Sequence, residues 1–231
     1  MINQWLKYYR WRLLNPIIPC AICKIPSSLP VCNHCYNELE INQLPYCNYC
    51  ATSGSSRCVD CCNNTPAFSH TYCQYTYSTP LNKMLHHLKY KYNKSNIWAL
   101  GYLLDRTLSG VKAETDFILP VPLSNKRLEQ RGFNQVLELL RYYCAKLDHI
   151  PVKTNIVSKV VDTPHQTSLN RQERHNPQII FQVEKNVAGK NILIVDDVIT
   201  TGSTANNLAK VLLAAGAKRI ELCALMRTVY I

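Results

Sequence analysis

Hydrophobic residues recur along the chain at two different spacings. From residue 69 onward, short apolar runs of strand length alternate with segments whose apolar residues repeat every three or four positions, as on one face of a helix. The predicted strands are residues 69–76, 117–123, 155–161, 192–195 and 219–226. The predicted helices are residues 80–108 (one helix or a pair), 136–146 and 203–215. Because strands that alternate with helices form βαβ units, we expect an α/β fold with a parallel sheet and flanking helices.

The first 64 residues lack this pattern. Residues 1–15 place aromatic and basic side chains at helical spacing, and residues 63–66 are a polar boundary that contains a proline. We therefore predict an N-terminal basic and aromatic segment (1–18), a small cysteine-rich module (19–64) and the α/β domain (65–231). Within that domain, the polar residues 162–176 have the length of a lid or a binding loop.

Eight of the twelve cysteines form four C-x2-C pairs. The pairs are Cys20/Cys23, Cys32/Cys35, Cys47/Cys50 and Cys58/Cys61. Two such pairs complete a closed tetrahedral site of four thiolates, so the spacing predicts two structural Zn²⁺ ions. A disulfide scaffold is the alternative, but Lys7, Arg10 and Arg12 interrupt the start of the chain, which does not read as a cleavable signal peptide. Sequential and interleaved pairing both fit the spacing, and the short spacers favour sequential sites.

Composition and charge limit the classes of function. The formal net charge is +11, and it falls to about +7 when eight thiolates and two zinc ions are counted. This balance favours a polyanionic partner, although a solvated surface is the commoner explanation for any single basic residue. Because no apolar stretch has the length of a membrane span, we expect a protein without a transmembrane segment.

The most specific motif is the run ILIVDDVITTGST at residues 192–204. Its apolar strand leads to Asp196 and Asp197 at the carboxyl end, where paired carboxylates can accept hydrogen bonds from sugar hydroxyls. The turn that follows offers hydroxyls, backbone N–H groups and a helix N-terminus to a phosphate through Thr200, Thr201, Gly202, Ser203 and Thr204. An ordinary strand that ends in acids before a capped helix is the alternative reading. The run has no P-loop lysine and no G-x-G-x-x-G turn.

A second basic segment follows another predicted strand end. Lys126, Arg127 and Arg131 lie in residues 124–135, which we predict to be a loop that leads into the next helix. Since carboxyl ends of parallel strands meet at one edge of the sheet, these cations can face the same crevice as the aspartates. A solvated basic turn is the alternative. Asp196, Asp197 and Arg131 are the candidate catalytic residues.

These motifs together resemble two known families. The run at residues 192–204 resembles the phosphoribosyl-pyrophosphate (PRPP) signature of type I phosphoribosyltransferases. The larger set resembles the ComF family: it comprises the four cysteine pairs, Lys89 with Tyr90, PVPLS (120–124), RGFNQ (131–135), Gln166, Leu169, Arg174, Asn176 and the signature. The resemblance implies a double zinc ribbon fused to a type I phosphoribosyltransferase-like domain. It also implies that PRPP binds with Mg²⁺ at Asp196, Asp197, Thr200, Thr201, Gly202, Ser203, Thr204, Lys126, Arg127 and Arg131.

The ComF resemblance further implies a role in natural transformation and DNA uptake. It implies single-stranded DNA as a partner on the cytoplasmic side of the membrane, with other competence proteins as candidate partners there. The candidate DNA-binding residues are Lys7, Arg10, Arg12, Arg57 and Lys89. The alternative is an active phosphoribosyltransferase that uses PRPP and Mg²⁺ on an unidentified acceptor. Thr200 stands where purine-using relatives carry an acid, which argues against purine salvage.

Overall fold

The computed structural model describes residues 17–39, 46–90, 93–111, 114–143, 150–160 and 181–228. The strands are β1 (Ile18–Pro19), β2 (Pro26–Ser27), β3 (Thr71–Tyr72), β4 (Tyr75–Thr76), β5 (Phe117–Pro120), β6 (Val157–Lys159), β7 (Phe181–Val183), β8 (Asn191–Ile199) and β9 (Arg219–Arg227). The helices are α1 (Asn33–Asn37), α2 (Val59–Asn63), α3 (Leu81–Tyr90), α4 (Lys94–Leu108), α5 (Asn125–Arg131), α6 (Gln135–Tyr143) and α7 (Ser203–Ala214).

The main sheet is parallel. β8 lies between β5 and β9, and β9 also pairs with the short strands β3 and β4. Two smaller antiparallel ladders join β1 to β2 and β6 to β7. The expectation of a parallel sheet with flanking helices is confirmed.

Helices cover both faces of this sheet. Leu193 and Val195 of β8 belong to one hydrophobic core, which they share with α3, α4 and α6. Ile192 and Ile194, which alternate with them, belong to a second core shared with α7. Because both faces are buried, β8 begins as a continuous apolar run instead of an alternating one.

The two cysteine-rich units pack on opposite faces of the sheet. Cys20 and Cys35 are part of the core that contains α3 and α4, whereas Ala51 is part of the core that contains α7. The second unit is also hydrogen-bonded to β3, since the Thr71 N–H donates to the Asn48 carbonyl at 2.7 Å. The cysteine units therefore share the hydrophobic cores of the α/β domain.

Several predicted boundaries differ from the structure. Residues 124–135 were expected to form a loop, but they contain α5, which begins after the N-cap Ser124 and ends at Gly132 with φ of 74°. These are ordinary helix boundary residues, and the basic composition between them obscured the helix. Residues 69–76 form two short strands, and residues 80–108 form two helices. β8 extends beyond residue 195 to Ile199 because β9 continues to pair with it.

Two predicted segments, residues 1–15 and 162–176, lie outside the described residues. They include Lys7, Arg10, Arg12 and Gln166. Across the part of the chain that the structure describes, no helix is both long enough and apolar enough to cross a membrane.

Candidate functional site

Asp196 and Asp197 lie in β8 just beyond the point where β5 ends. The ladder between these strands ends at the pair Val195 and Pro120. On the other side, β8 stays paired with β9 to Ile199. The aspartates therefore lie at the edge of the sheet where a neighbouring strand has ended, which is where parallel α/β folds bind ligands.

Asp197 is the centre of a polar network. Its carboxylate is buried, and its Oδ2 accepts from Lys89 Nζ at 2.8 Å and from Gln135 Nε2 at 3.0 Å. Gln135 Oε1 in turn accepts from Arg131 Nη1 at 3.1 Å. Helices α3, α5 and α6 thus each supply one side chain to a chain of contacts that ends on β8. Because both donors reach Oδ2, they fix the orientation of the carboxylate.

Asp196 has a different electrostatic environment. Burial and the neighbouring charge of Asp197 raise the pKa of Asp196 to about 7, although Lys89 and Lys159 act in the opposite direction. Asp196 Oδ1 also accepts from the Asp197 N–H at 2.8 Å. The Asp196 carboxyl group can therefore gain or lose a proton near neutral pH.

The signature loop, residues 200–204, follows β8 and leads into α7. Gly202 has φ of 75°, a left-handed conformation that favours glycine, and α7 begins at the next residue. Thr201 Oγ1 lies 3.0 Å from Ser203 Oγ and accepts from the Ser203 N–H at 3.3 Å. The four hydroxyl side chains of the loop are exposed at the N-terminus of α7. Helix N-termini of this kind bind phosphate groups.

The three basic residues of α5 differ in their contacts. Arg131 is connected to Asp197 through Gln135, whereas Lys126 is exposed and Arg127 is half-buried. The backbone N–H of Arg127 donates to Ser124 Oγ, which caps the helix. The structure therefore joins Arg131 to the aspartate network through Gln135 and places the other two cations on the same helix.

The eight cysteines form two separate groups. The first cysteine unit is Cys20, Cys23, Cys32 and Cys35, and the second cysteine unit is Cys47, Cys50, Cys58 and Cys61. Within each unit all four sulfur atoms lie within 4.8 Å of one another, with 3.8 Å between Cys23 and Cys32 and 3.5 Å between Cys50 and Cys58. Tetrahedral zinc with Zn–S bonds of 2.3 Å requires S···S separations of about 3.8 Å. The donor sets fit a structural metal, and the pairing is sequential.

Backbone hydrogen bonds favour a thiolate in each unit. Burial raises the pKa of the Cys20 thiol, but N–H groups of Cys32, Cys23 and Ile22 outweigh this effect and lower the pKa to about 6. The Cys47 pKa is also lowered to about 6, by N–H groups of the second unit acting against burial. Metal ligation requires the deprotonated form, which these contacts favour at one cysteine of each unit, whereas burial raises the pKa of Cys35 and Cys61.

Sequence comparison places the chain among known proteins. The family model for the phosphoribosyl transferase domain matches residues 139–228. The Escherichia coli protein named DNA utilization protein YhgH is 30% identical over 220 residues, which cover 90% of this chain and 96% of that protein. The chain belongs to the ComF family. Competence protein F of Haemophilus influenzae is 30% identical to this ComF protein over 221 residues, which cover 90% of each chain.

Solved structures resemble the fold at lower similarity. A hypoxanthine-guanine phosphoribosyltransferase from Bacillus anthracis has 16% sequence identity and a TM-score of 0.33. The alignment covers 55% of this ComF protein and 63% of that chain.

Two of the candidate DNA-binding residues, Arg57 and Lys89, lie in the described part of this ComF protein, and they make different contacts. Arg57 is exposed and lies over the Tyr49 ring, 5.1 Å from its centroid, and it also donates to Thr65 Oγ1 at 2.8 Å. Lys89 is paired with Asp197 at the crevice instead. DNA binding at these two residues stays a prediction.

Two residues of the site were missed by sequence reasoning. Gln135 belongs to the RGFNQ motif, but only its contacts with Arg131 and Asp197 reveal its role. Its position four residues after Arg131 in that motif was the available signal. Arg227 is buried at the end of β9 and donates to the Ile199 carbonyl at 3.2 Å. No local pattern in the sequence marks it.

Proposed function

We propose that this ComF protein binds PRPP at the crevice formed by Asp196, Asp197 and the signature loop. The observation that carries the proposal is the direct succession, on β8 and α7, of two carboxylates and an exposed hydroxyl-rich helix N-terminus. The carboxylates would accept hydrogen bonds from ribose hydroxyls, and the loop would hold the 5′-phosphate. Arg131, with Lys126 and Arg127 on the same helix, would bind the pyrophosphate.

Mg²⁺ would accompany PRPP as its counterion. Phosphate and carboxylate oxygens are the hard ligands that Mg²⁺ prefers, and the metal is usually held largely by the substrate phosphates. It would neutralise pyrophosphate charge beside the acidic pair.

We also propose one structural Zn²⁺ ion in each cysteine unit. The sulfur separations support this assignment, and a closed set of four thiolates leaves no position for a catalytic water. On this basis we assign an N-terminal segment (1–18), a double zinc ribbon (19–64) and a phosphoribosyltransferase-like domain (65–231). Metal analysis of the purified protein should find two zinc ions per chain, and oxidised cysteines without zinc would refute the assignment.

The biological role that we propose is in natural transformation, with single-stranded DNA bound in the cytoplasm. The names of the two relatives, DNA utilization protein and Competence protein F, support this role. The net positive charge, about +7 with both zinc ions bound, and the exposed Arg57 over an aromatic ring also suit a single strand, which is bound through phosphate contacts and stacking. Other competence proteins at the inner face of the membrane are the candidate partners.

Ligand-induced stabilisation tests the PRPP site. PRPP with Mg²⁺ should raise the melting temperature of the zinc-loaded protein, because it binds only the folded state. Asp197→Asn should weaken this shift. Asp116→Asn is a matched control: Asp116 precedes β5 at the opposite end of the sheet and pairs with Lys190 at 3.0 Å. If the two variants bind PRPP equally well, the crevice is not the PRPP site.

An active phosphoribosyltransferase is the second candidate function. The same residues would then position the ribose while Arg131 and Mg²⁺ stabilise the departing pyrophosphate. Incubating the protein with labelled PRPP and a metabolite extract distinguishes the two candidates. Release of pyrophosphate only when extract is present indicates transfer to an acceptor, whereas binding without release indicates that PRPP is a ligand.

A further inference from the structure

A buried arginine connects the second cysteine unit to the signature loop. Arg227 is only 6% exposed, and its guanidinium donates to two different parts of the molecule. Nη1 donates to the Ile199 carbonyl at 3.2 Å, and Nη2 donates to Thr52 Oγ1 at 3.0 Å. Ile199 is the last residue of β8 and directly precedes the loop. Thr52 lies between the two C-x2-C pairs of the second unit.

Thr52 also contacts one of the candidate metal ligands. Its Oγ1 lies 3.1 Å from Cys50 Sγ. The same oxygen accepts from Arg227, so one hydroxyl contacts both a sulfur of the second unit and the guanidinium. A change in the position of Cys50 on metal binding would therefore be passed to Thr52 and from there to Arg227.

Further hydrogen bonds hold both ends of the loop. The Ile199 carbonyl also accepts from the Thr228 N–H at 3.0 Å, so the start of the loop is held by two consecutive residues of the β9 end. After the loop, Asn206 Oδ1 in α7 accepts from the N–H of Ala67 at 2.8 Å. Ala67 follows the second unit closely in the chain. The residue before the loop is therefore linked to the second unit through Arg227, and the helix after the loop is linked to the segment that follows that unit.

The first cysteine unit offers an internal comparison. Cys20 and Cys35 pack in the core on the opposite face of the sheet, together with α3 and α4. The signature loop leads into α7, whose buried residues lie in the other core. Binding at the loop should therefore be transmitted to the second unit and not to the first.

We propose that Arg227 is a positioning residue that couples metal binding in the second cysteine unit to ligand binding at the signature loop. The proposal rests on the PRPP and zinc sites proposed above. An ordered second unit fixes Thr52, Thr52 fixes the guanidinium, and the guanidinium fixes the carbonyl from which the loop departs. Because coupling between two binding equilibria is reciprocal, a ligand on the loop must also retain the metal in the second unit.

Zinc release from the full-length protein tests this coupling. The zinc-loaded protein is mixed with a chromogenic chelator, with and without saturating PRPP and Mg²⁺, and the release of the two ions is followed as two kinetic phases. PRPP should slow one phase by about fivefold or more, the lower range of typical coupling between sites, and leave the other phase unchanged.

Two variants identify the pathway. Thr52→Val removes the acceptor of Arg227 at an exposed position with little change in volume, so the fold should persist. In this variant PRPP should no longer slow either phase, and its affinity for PRPP should fall. Ser55→Ala is the matched control, because Ser55 lies in the same unit but its hydroxyl donates to the Arg57 carbonyl. This variant should behave like wild type.

The outcomes separate the coupling from the function on which it rests. If PRPP raises the melting temperature but slows neither phase, or slows both equally, the coupling is refuted and the PRPP site stands. If Thr52→Val retains the full slowing of zinc release, Arg227 does not carry the coupling. If wild-type protein shows no thermal shift with PRPP, the proposed function fails and the coupling fails with it.

Discussion

Replacing Asp196 by Asn should stabilise the ligand-free protein at neutral pH. Burial and the Asp197 charge raise the pKa of Asp196 from 3.8 to about 7, so the folded state holds a proton that the unfolded state releases. Between these two pH values the folded state binds more protons, and wild-type stability must therefore fall as the pH rises from about 4 to about 7. An asparagine does not ionise, so the Asp196→Asn protein does not lose stability in this way as the pH rises.

The size of the effect follows from the pKa shift. A rise from 3.8 to about 7 corresponds to a penalty of about 4 kcal/mol once Asp196 is fully ionised in the folded state. Asp196 is half-buried, so solvent screens part of this penalty, and we expect a gain of about 2 kcal/mol for Asp196→Asn at pH 8. The gain should shrink progressively below pH 7 and be nearly absent at pH 4.

Urea unfolding at constant zinc concentration measures this gain. Wild type and Asp196→Asn are compared without PRPP at pH 5 and pH 8, and the difference between the proteins removes the pH dependence of other groups. Asp116→Asn is the control, because the Asn191 N–H and Lys190 lower the pKa of Asp116, so its replacement should give no gain in stability at pH 8. An Asp196→Asn protein that is no more stable than wild type at pH 8 would refute the reasoning. So would an equal gain from Asp116→Asn.

Three further substitutions give distinct outcomes. Lys89→Met should lower PRPP affinity roughly tenfold by releasing the Asp197 carboxylate, and it should leave DNA retention unchanged. A variant that binds PRPP normally but no longer retains DNA would assign Lys89 to a DNA surface. Gly202→Ala should cost about 1 kcal/mol in urea unfolding, since φ of 75° disfavours a side chain although space is available, and unchanged stability would contradict this. Arg57→Gln should make the log–log salt dependence of single-strand binding shallower by roughly 0.7; an unchanged slope would exclude a phosphate contact there.

Local features of the sequence were sufficient to predict the fold class and the two cysteine sites. The alternation of strand and helix periods predicted a parallel sheet, because the spacing of apolar residues reflects the geometry of each element. The C-x2-C spacing predicted the two cysteine units, since spacers of seven and eight residues can close each site locally. The acidic pair and the glycine turn were also visible, because they are consecutive in the chain.

Element boundaries depended on packing partners. The strand that was expected to stop at residue 195 continues to Ile199, because β9 supplies hydrogen bonds beyond the end of β5. The basic residues 125–131 form a helix whose apolar period is too weak to read. In both cases the local composition was ambiguous, and contacts with the rest of the fold decided the outcome.

The partners of the functional side chains were decided by tertiary structure alone. Asp197 meets Gln135, which is 62 residues away in the chain, and Arg227 meets Thr52 across 175 residues. Lys89, a candidate DNA-binding residue, pairs with Asp197, which no sequence pattern predicted. The spacing of residues in the sequence predicts geometry only within a few helical turns or a few residues of a strand. Which cation reaches which carboxylate depends on how α3, α6 and the second cysteine unit pack on the sheet, and that placement is a property of the whole chain.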